Sequence, residues 1–254
     1  MTTIQALILG LIEGITEFLP VSSTAHLLLA THALHIVESE FTKSFTIIIQ
    51  FGAILSVVVL YWKKFLDLEV LKKLVVAFIP TGIIGLTVYK ALKQYLLGNM
   101  AVILCSLLVG GIILILYHRF TEREDGEIDF SEITYRKALA IGLFQSIAII
   151  PGVSRSAATI LGGSLIGISK RTIVEFSFML AVPTMLAATG LELLKNHNAL
   201  GENASALAVG FVMSFVVAIV AIRSFVTFIK KRSFAAFGWY RIALALAYYV
   251  VYLR

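Results

Sequence analysis

Two short stretches of this chain carry side chains able to do chemistry, and both interrupt apolar sequence. The first is Glu13-Gly-Ile-Thr-Glu17-Phe-Leu-Pro20-Val-Ser22-Ser23-Thr24-Ala-His26. The second is Pro151-Gly-Val-Ser154-Arg155-Ser156-Ala-Ala-Thr159, its proline 131 positions after Pro20. Glu13 and Glu17 are spaced i, i+4 and share one helix face. Two neighbouring carboxylates away from water call for a cation, an arginine or a shared proton. Oxygen donors of this kind suit Mg²⁺ or Ca²⁺. A structural acid pair capping a turn is the alternative. Pro20 stops one helix, and Ser22, Ser23 or Thr24 can cap the next. A helix start with free N–H groups and hydroxyls receives anions, although capping alone also accounts for the hydroxyls. His26 lies three residues beyond Ser23, where it can accept a proton from a serine or give one to a leaving oxygen. In the second stretch Ser154 and Ser156 can cap a helix that opens on Arg155. A guanidinium at the positive end of a helix is unfavourable unless it faces an anion, and its planar fork matches phosphate. Pairing of Arg155 with Glu13 or Glu17 is the structural alternative; an ion pair that opens for a ligand satisfies both. Acids, hydroxyls, an imidazole and a guanidinium together suit phosphoryl chemistry. No Gly-x-x-x-x-Gly-Lys run is present, which argues against nucleotide hydrolysis.

The elements that must position these groups are those of an integral membrane protein. Hydrophobic residues make up 59% of the 254, charged residues only 14%, and mean hydropathy is +0.95; soluble domains are nearer a quarter charged. Six apolar stretches, about 44–62, 74–92, 100–118, 172–194, 205–229 and 236–253, are long enough to cross roughly 30 Å of hydrocarbon. Two more, about 3–37 and 138–169, are broken at the two polar stretches. Their halves are too short to cross, so each is expected to be a re-entrant helical hairpin with its tip at membrane depth. Irregular backbone is tolerated there only when buried in protein or lining a wet cavity.

Hairpin plus three spans therefore occurs twice, over 1–120 and 137–254, within a single membrane domain. A shift of 131 also superposes Ser23 on Ser154, Phe45 on Phe176, Thr46 on Ser177 and Gly52 on Pro183. Three spans per half is an odd number, so the second repeat is inverted. Broken helices in that architecture place a site at the repeat interface. Of the 21 Lys and Arg, 13 fall on one face and 5 on the other, with Arg155, Arg223 and Arg241 inside segments. The positive-inside rule makes the richer face cytoplasmic. Both termini and the first hairpin's mouth then face outward. The acidic stretch 121–135 is expected to be a solvated interior loop. The net charge of +6 resides in short loops between spans, so no nucleic-acid partner is implied. The single Cys105 offers no disulfide or zinc pattern. Asn203-Ala-Ser205 matches a glycosylation sequon of little weight.

The two polar stretches resemble the signature motifs of the undecaprenyl-diphosphate phosphatase family of the bacitracin-resistance type. Glu175-Phe-Ser-Phe-Met-Leu-Ala-Val-Pro183 is similar to another segment of that family, and the resemblance covers nearly the whole chain. It implies a multi-pass enzyme of the bacterial cytoplasmic membrane that hydrolyses undecaprenyl diphosphate to undecaprenyl phosphate and phosphate. This recycles the lipid carrier of peptidoglycan and confers bacitracin resistance when the protein is abundant. By the family pattern Glu13 and Glu17 serve metal binding or base chemistry. Ser23 or His26 is the nucleophile or proton relay. Arg155 clamps phosphate, with Ser154, Ser156, Ser22, Thr24 and Thr159 as further phosphate-binding hydroxyls. Ala25 departs from the glycine common in the motif. The expected partners are a polyprenyl diphosphate lipid and the bilayer, with a homodimer left open. A transporter or flippase of polyprenyl phosphate lipids is the rival function, because inverted repeats with broken helices also serve transport.

Overall fold

The computed structural model describes residues 1–96, 99–120, 128–195, 203–230 and 232–253, and every regular element among them is helical. In chain order these are α1 (Thr3–Thr16), α2 (Ser23–Ala33), α3 (Glu40–Phe65), α4 (Leu68–Tyr95), α5 (Met100–Phe120), α6 (Tyr135–Ser146), α7 (Arg155–Leu165), α8 (Lys170–Lys195), α9 (Ala204–Ile229) and α10 (Ala235–Tyr248). Short 3₁₀ turns occupy Phe130–Glu132 and Ile147–Ile149, and α10 runs on into a π turn at Tyr249–Leu253.

Five helices, α3, α4, α5, α8 and α9, are long and apolar enough to span a bilayer. The sixth expected span differs: Ala235–Val251 is apolar but shorter. The hairpin arms α1, α2, α6 and α7 have 14, 11, 12 and 11 residues. At 1.5 Å per residue they reach only roughly 16–21 Å, well short of the hydrocarbon thickness. Each pair folds back on itself, α1 on α2 and α6 on α7. Side chains at α3, α5, α9 and α10 such as Val59, Val109, Val220 and Trp239 are more than half exposed. That outward apolar surface suits lipid rather than water.

Capping follows the local sequence. Thr2 and Gln5 form a capping box at α1, Ser22 receives the Ala25 N–H at α2, and Ser154 receives the Ala157 N–H at α7. The sequon asparagine is used in the same way. Asn203 accepts the Ala206 N–H at 3.1 Å and donates to the Met1 carbonyl at 3.1 Å.

Between elements, α1 packs on α9 and α6 on α4; α3 packs on α9 and α4 on α8; α3 pairs with α8 and α5 with α10. Exchanging the first five helices for the last five maps this set of pairings onto itself. Small residues permit the close approaches: a Cβ at Gly14 would lie 2.7 Å from the Ser214 carbonyl of α9. The main apolar core lies against the first hairpin's tip, where Phe18 meets Phe178 edge-on at 5.3 Å between ring centroids.

The acidic stretch 121–135 is only partly within the described residues, since 121–127 fall outside them. Its described part corrects the expectation of a merely solvated loop. Glu132 accepts the Ser169 N–H at 2.8 Å, the Asp129 N–H donates to Thr172, and Lys73 donates to the Phe130 carbonyl at 2.8 Å. The loop satisfies free groups near the start of α8.

Candidate functional site

The two polar stretches meet at the hairpin tips. Helix α1 ends at Thr16 with Glu17 as its C-cap, ahead of the proline, and leaves carbonyls without intrahelical donors. The second hairpin and α10 supply those donors. Ser156 donates to the Phe18 carbonyl at 2.8 Å, Ser154 to the Leu19 carbonyl at 3.5 Å and Arg241 to the Pro20 carbonyl at 3.3 Å. Three successive carbonyls of one tip are thereby tied to other elements. Arg241 also donates to the Gly152 carbonyl of the second tip at 3.0 Å and to Ser106 and Leu107 of α5. Gly152 is required at its own position: its φ is +87° and a Cβ would lie 2.8 Å from the Ile103 carbonyl. Ser22 adopts φ 71° without being glycine. Strain of that kind persists only where the surroundings over-determine it, and it clusters at functional sites.

Within this frame Glu17 is the hub. Its Oε2 accepts the Ser23 hydroxyl at 2.5 Å, and its Oε1 accepts Arg155 Nη2 at 3.0 Å. The other arm of Arg155 donates to the Ser177 carbonyl of α8 at 2.8 Å, while its buried Nε has no acceptor. Glu13 lies one helical turn before Glu17, fully buried, and neither of its carboxylate oxygens finds a donor. The charges acting on it are those of Glu17 and Arg155. A buried, unpartnered carboxylate is costly, and these two oxygens are left without a donor at the meeting of the two tips.

The structure thus joins Glu13, Glu17, Ser23 and Arg155. His26 is also buried, but its bonds go elsewhere, to the Ser22 carbonyl and to the Tyr240 hydroxyl, both at 2.8 Å. Four of the five hydroxyls expected to hold phosphate are bonded to protein groups. Ser22 and Ser154 act as caps, and Ser156 ties the tips. Thr159 bonds back to its own helix and to Ser177 at 2.6 Å. Thr24 is exposed on the first turn of α2. Sequence reasoning passed over Arg241, Tyr240 and Ser177. For Arg241 the signal was a guanidinium inside an apolar stretch; Ser177 showed only as a repeat match, and Tyr240 gave none.

Glu13 and Glu17 can supply carboxylate oxygens to a divalent cation, and the orphan oxygens of Glu13 fit that use. Among the described residues no cluster of three or more His, Cys, Asp or Glu exists. Further ligands would be hydroxyls, water or substrate phosphate, as Mg²⁺ commonly accepts.

Several membrane-length helices around paired hairpins, with ionisable groups enclosed at the tips, define a multi-pass membrane protein with an embedded reactive centre. The profile of the family described as bacitracin resistance protein BacA matches residues 6–247. The undecaprenyl-diphosphatase of Aquifex aeolicus is 48% identical over 255 residues, covering 100% of both chains. That of Sulfurihydrogenibium sp. is 48% identical, over 99% of this chain and 100% of its own. That of Bdellovibrio bacteriovorus is 48% identical, over 97% and 94%. The chain belongs to the BacA bacitracin resistance family.

Proposed function

We infer that this chain hydrolyses undecaprenyl diphosphate to undecaprenyl phosphate and inorganic phosphate. One observation carries the reading: a single buried carboxylate, Glu17, holds the Ser23 hydroxyl at 2.5 Å and the Arg155 guanidinium at 3.0 Å. A base on a hydroxyl, beside a cation made for phosphate, is the arrangement of an activated nucleophile. Its relatives carry the name of this hydrolase over their full length, and nothing among them favours a transporter.

Glu17 takes the Ser23 proton as Oγ attacks the terminal phosphorus. The bond from that phosphorus to the bridging oxygen breaks, and undecaprenyl phosphate departs with the proton that Glu17 had taken, leaving Glu17 ionised again. Water then attacks the phosphoserine, its proton passes through Glu17 to Ser23 Oγ, and phosphate leaves. Arg155 exchanges Glu17 for the phosphate oxygens while the Ser177 carbonyl keeps hold of its other arm. Glu13 and Glu17 would hold a divalent cation, Mg²⁺ or Ca²⁺. Such an ion neutralises phosphate charge when bound.

The same reading includes an inverted pair of repeats, 1–120 and 137–254, supported by the exchange symmetry of the helix pairings. It places the protein in the bacterial cytoplasmic membrane with both termini and the first hairpin's mouth outside, supported by the distribution of Lys and Arg. Phosphate release from undecaprenyl diphosphate by the purified protein in detergent is the test. Release that is lost in Glu17→Gln and Ser23→Ala supports the reading, and a folded wild type that releases no phosphate overturns it.

A further inference from the structure

His26 is held at both ring nitrogens, and the two bonds together fix where its proton sits. Nδ1 lies 2.8 Å from the Ser22 carbonyl oxygen. A carbonyl only accepts, so Nδ1 carries the hydrogen of the neutral ring. Nε2 is then a bare lone pair, and the Tyr240 hydroxyl, 2.8 Å away, donates to it. The two rings are parallel to within 6°, with centroids 5.5 Å apart. Tyr240 stands 214 positions from His26, yet its placement is not accidental. The next residue, Arg241, locks α10 to both hairpin tips through Pro20 and Gly152. Ser23, meanwhile, gives its hydrogen to Glu17. The nucleophile-activating bond and the histidine are therefore separate devices on the same helix.

We propose that Tyr240 is a working residue of the hydrolysis: while the Ser22 carbonyl fixes His26 as the Nδ1–H tautomer, the Tyr240 hydroxyl holds Nε2 in place and is the route by which that nitrogen takes up a proton. The proposal rests on the hydrolase reading given above. A proton delivered from the reacting phosphate or water is taken up by the Tyr240 oxygen as the hydroxyl passes its own hydrogen to Nε2, and the imidazolium keeps its Nδ1–H on the Ser22 carbonyl. The new Nε2–H donates to the tyrosine oxygen, whose newly gained hydrogen faces the group that supplied it. Tyr240 loses one O–H bond and gains another, so it ends unchanged. Reversal of this relay toward a departing oxygen restores the starting tautomer. Fixing the second nitrogen of a histidine is what sets the first one's role.

Tyr240→Phe tests this, because it keeps the stacked ring and removes only the hydroxyl. The full chain is purified in detergent with ¹⁵N-histidine, alongside wild type and His26→Ala, the latter to assign the His26 signals. In wild type, His26 should show a protonated Nδ1 and a bare, hydrogen-bonded Nε2. In Tyr240→Phe the Nε2 signal should shift toward that of a nitrogen without a hydrogen-bond donor, while Nδ1 stays protonated on the Ser22 carbonyl. The kcat should fall about tenfold with KM held within about twofold, the mark of a group acting on the chemical step. A wild-type kcat in Tyr240→Phe, or an unmoved His26 spectrum, overturns the proposal. So does wild-type turnover in His26→Ala, which takes the histidine out of the reaction. Absence of phosphate release from wild type strikes the hydrolase reading instead, and the nitrogen spectrum alone then decides whether Tyr240 holds Nε2.

Discussion

At the scale of residues, the site is a set of exchangeable bonds around Glu17. Arg155 makes the sharpest case. It spans Glu17 and the Ser177 carbonyl with two different nitrogens, a reach that lysine cannot reproduce with one ammonium. Arg155→Lys should lower kcat/KM by about a hundredfold, measured as phosphate release, while the protein stays folded; near-normal turnover would remove Arg155 from phosphate binding. Glu13 offers a separate test, since its orphan oxygens serve either a cation or a shared proton. Glu13→Gln should cut kcat more than KM, and chelation with EDTA should reduce wild-type activity to the level of the variant. Full activity after chelation would exclude the cation role. These residues were legible in the sequence because their types are out of place in apolar surroundings. Tyr240 was not, because a tyrosine on a membrane helix is ordinary and only its distance to His26 reveals its use. The sequence also suggested a Ser23–His26 partnership from their spacing. In the structure Ser23 turns to Glu17 instead, because the irregular backbone after α1 brings that carboxylate to it.

At the scale of elements, the hairpin tips are joined chiefly through backbone carbonyls, and Arg241 holds both. Arg241→Met would leave the Pro20 and Gly152 carbonyls without this donor. Stability in detergent should drop by about 2 kcal/mol. Turnover should drop on the order of a hundredfold, because a displacement of about 1 Å at reacting groups costs that much. Denaturant titration and phosphate release on the same sample would check the two numbers. Ser156→Ala removes only the bond to Phe18, so a loss of about 1 kcal/mol is expected, with smaller effect on rate. The helices themselves were readable from hydropathy and from caps: the stretches 44–62, 172–194 and 205–229 all fall within α3, α8 and α9. Breaks at prolines predicted both hairpins, although α1 already ends at Thr16, ahead of Pro20. The docking of residues 128–134 onto α8 left no periodic signal, since single polar bonds carry none.

At the scale of the whole molecule, the proposed orientation in the membrane is open to direct labelling. Single cysteines at Thr2 and Glu38, after Cys105 is replaced, should react with an impermeant thiol reagent in intact cells, whereas one at Ser131 should not. Labelling at Ser131 with protection of Thr2 would turn the protein over in the membrane and put the first hairpin's mouth in the cytoplasm. The apolar spans and the polar breaks made the architecture legible; which tip residue faces which could not be read, because such contacts join positions 89 to 221 residues apart and follow no local period. The Glu17–Arg155 bond, across 138 positions, also sets an order of events during synthesis. At cellular elongation speeds of 5–20 residues per second, the first hairpin waits roughly 7–28 seconds for its arginine. Through that interval Glu13 and Glu17 have no guanidinium to meet, so the first hairpin's final seating at depth is timed by the arrival of the second.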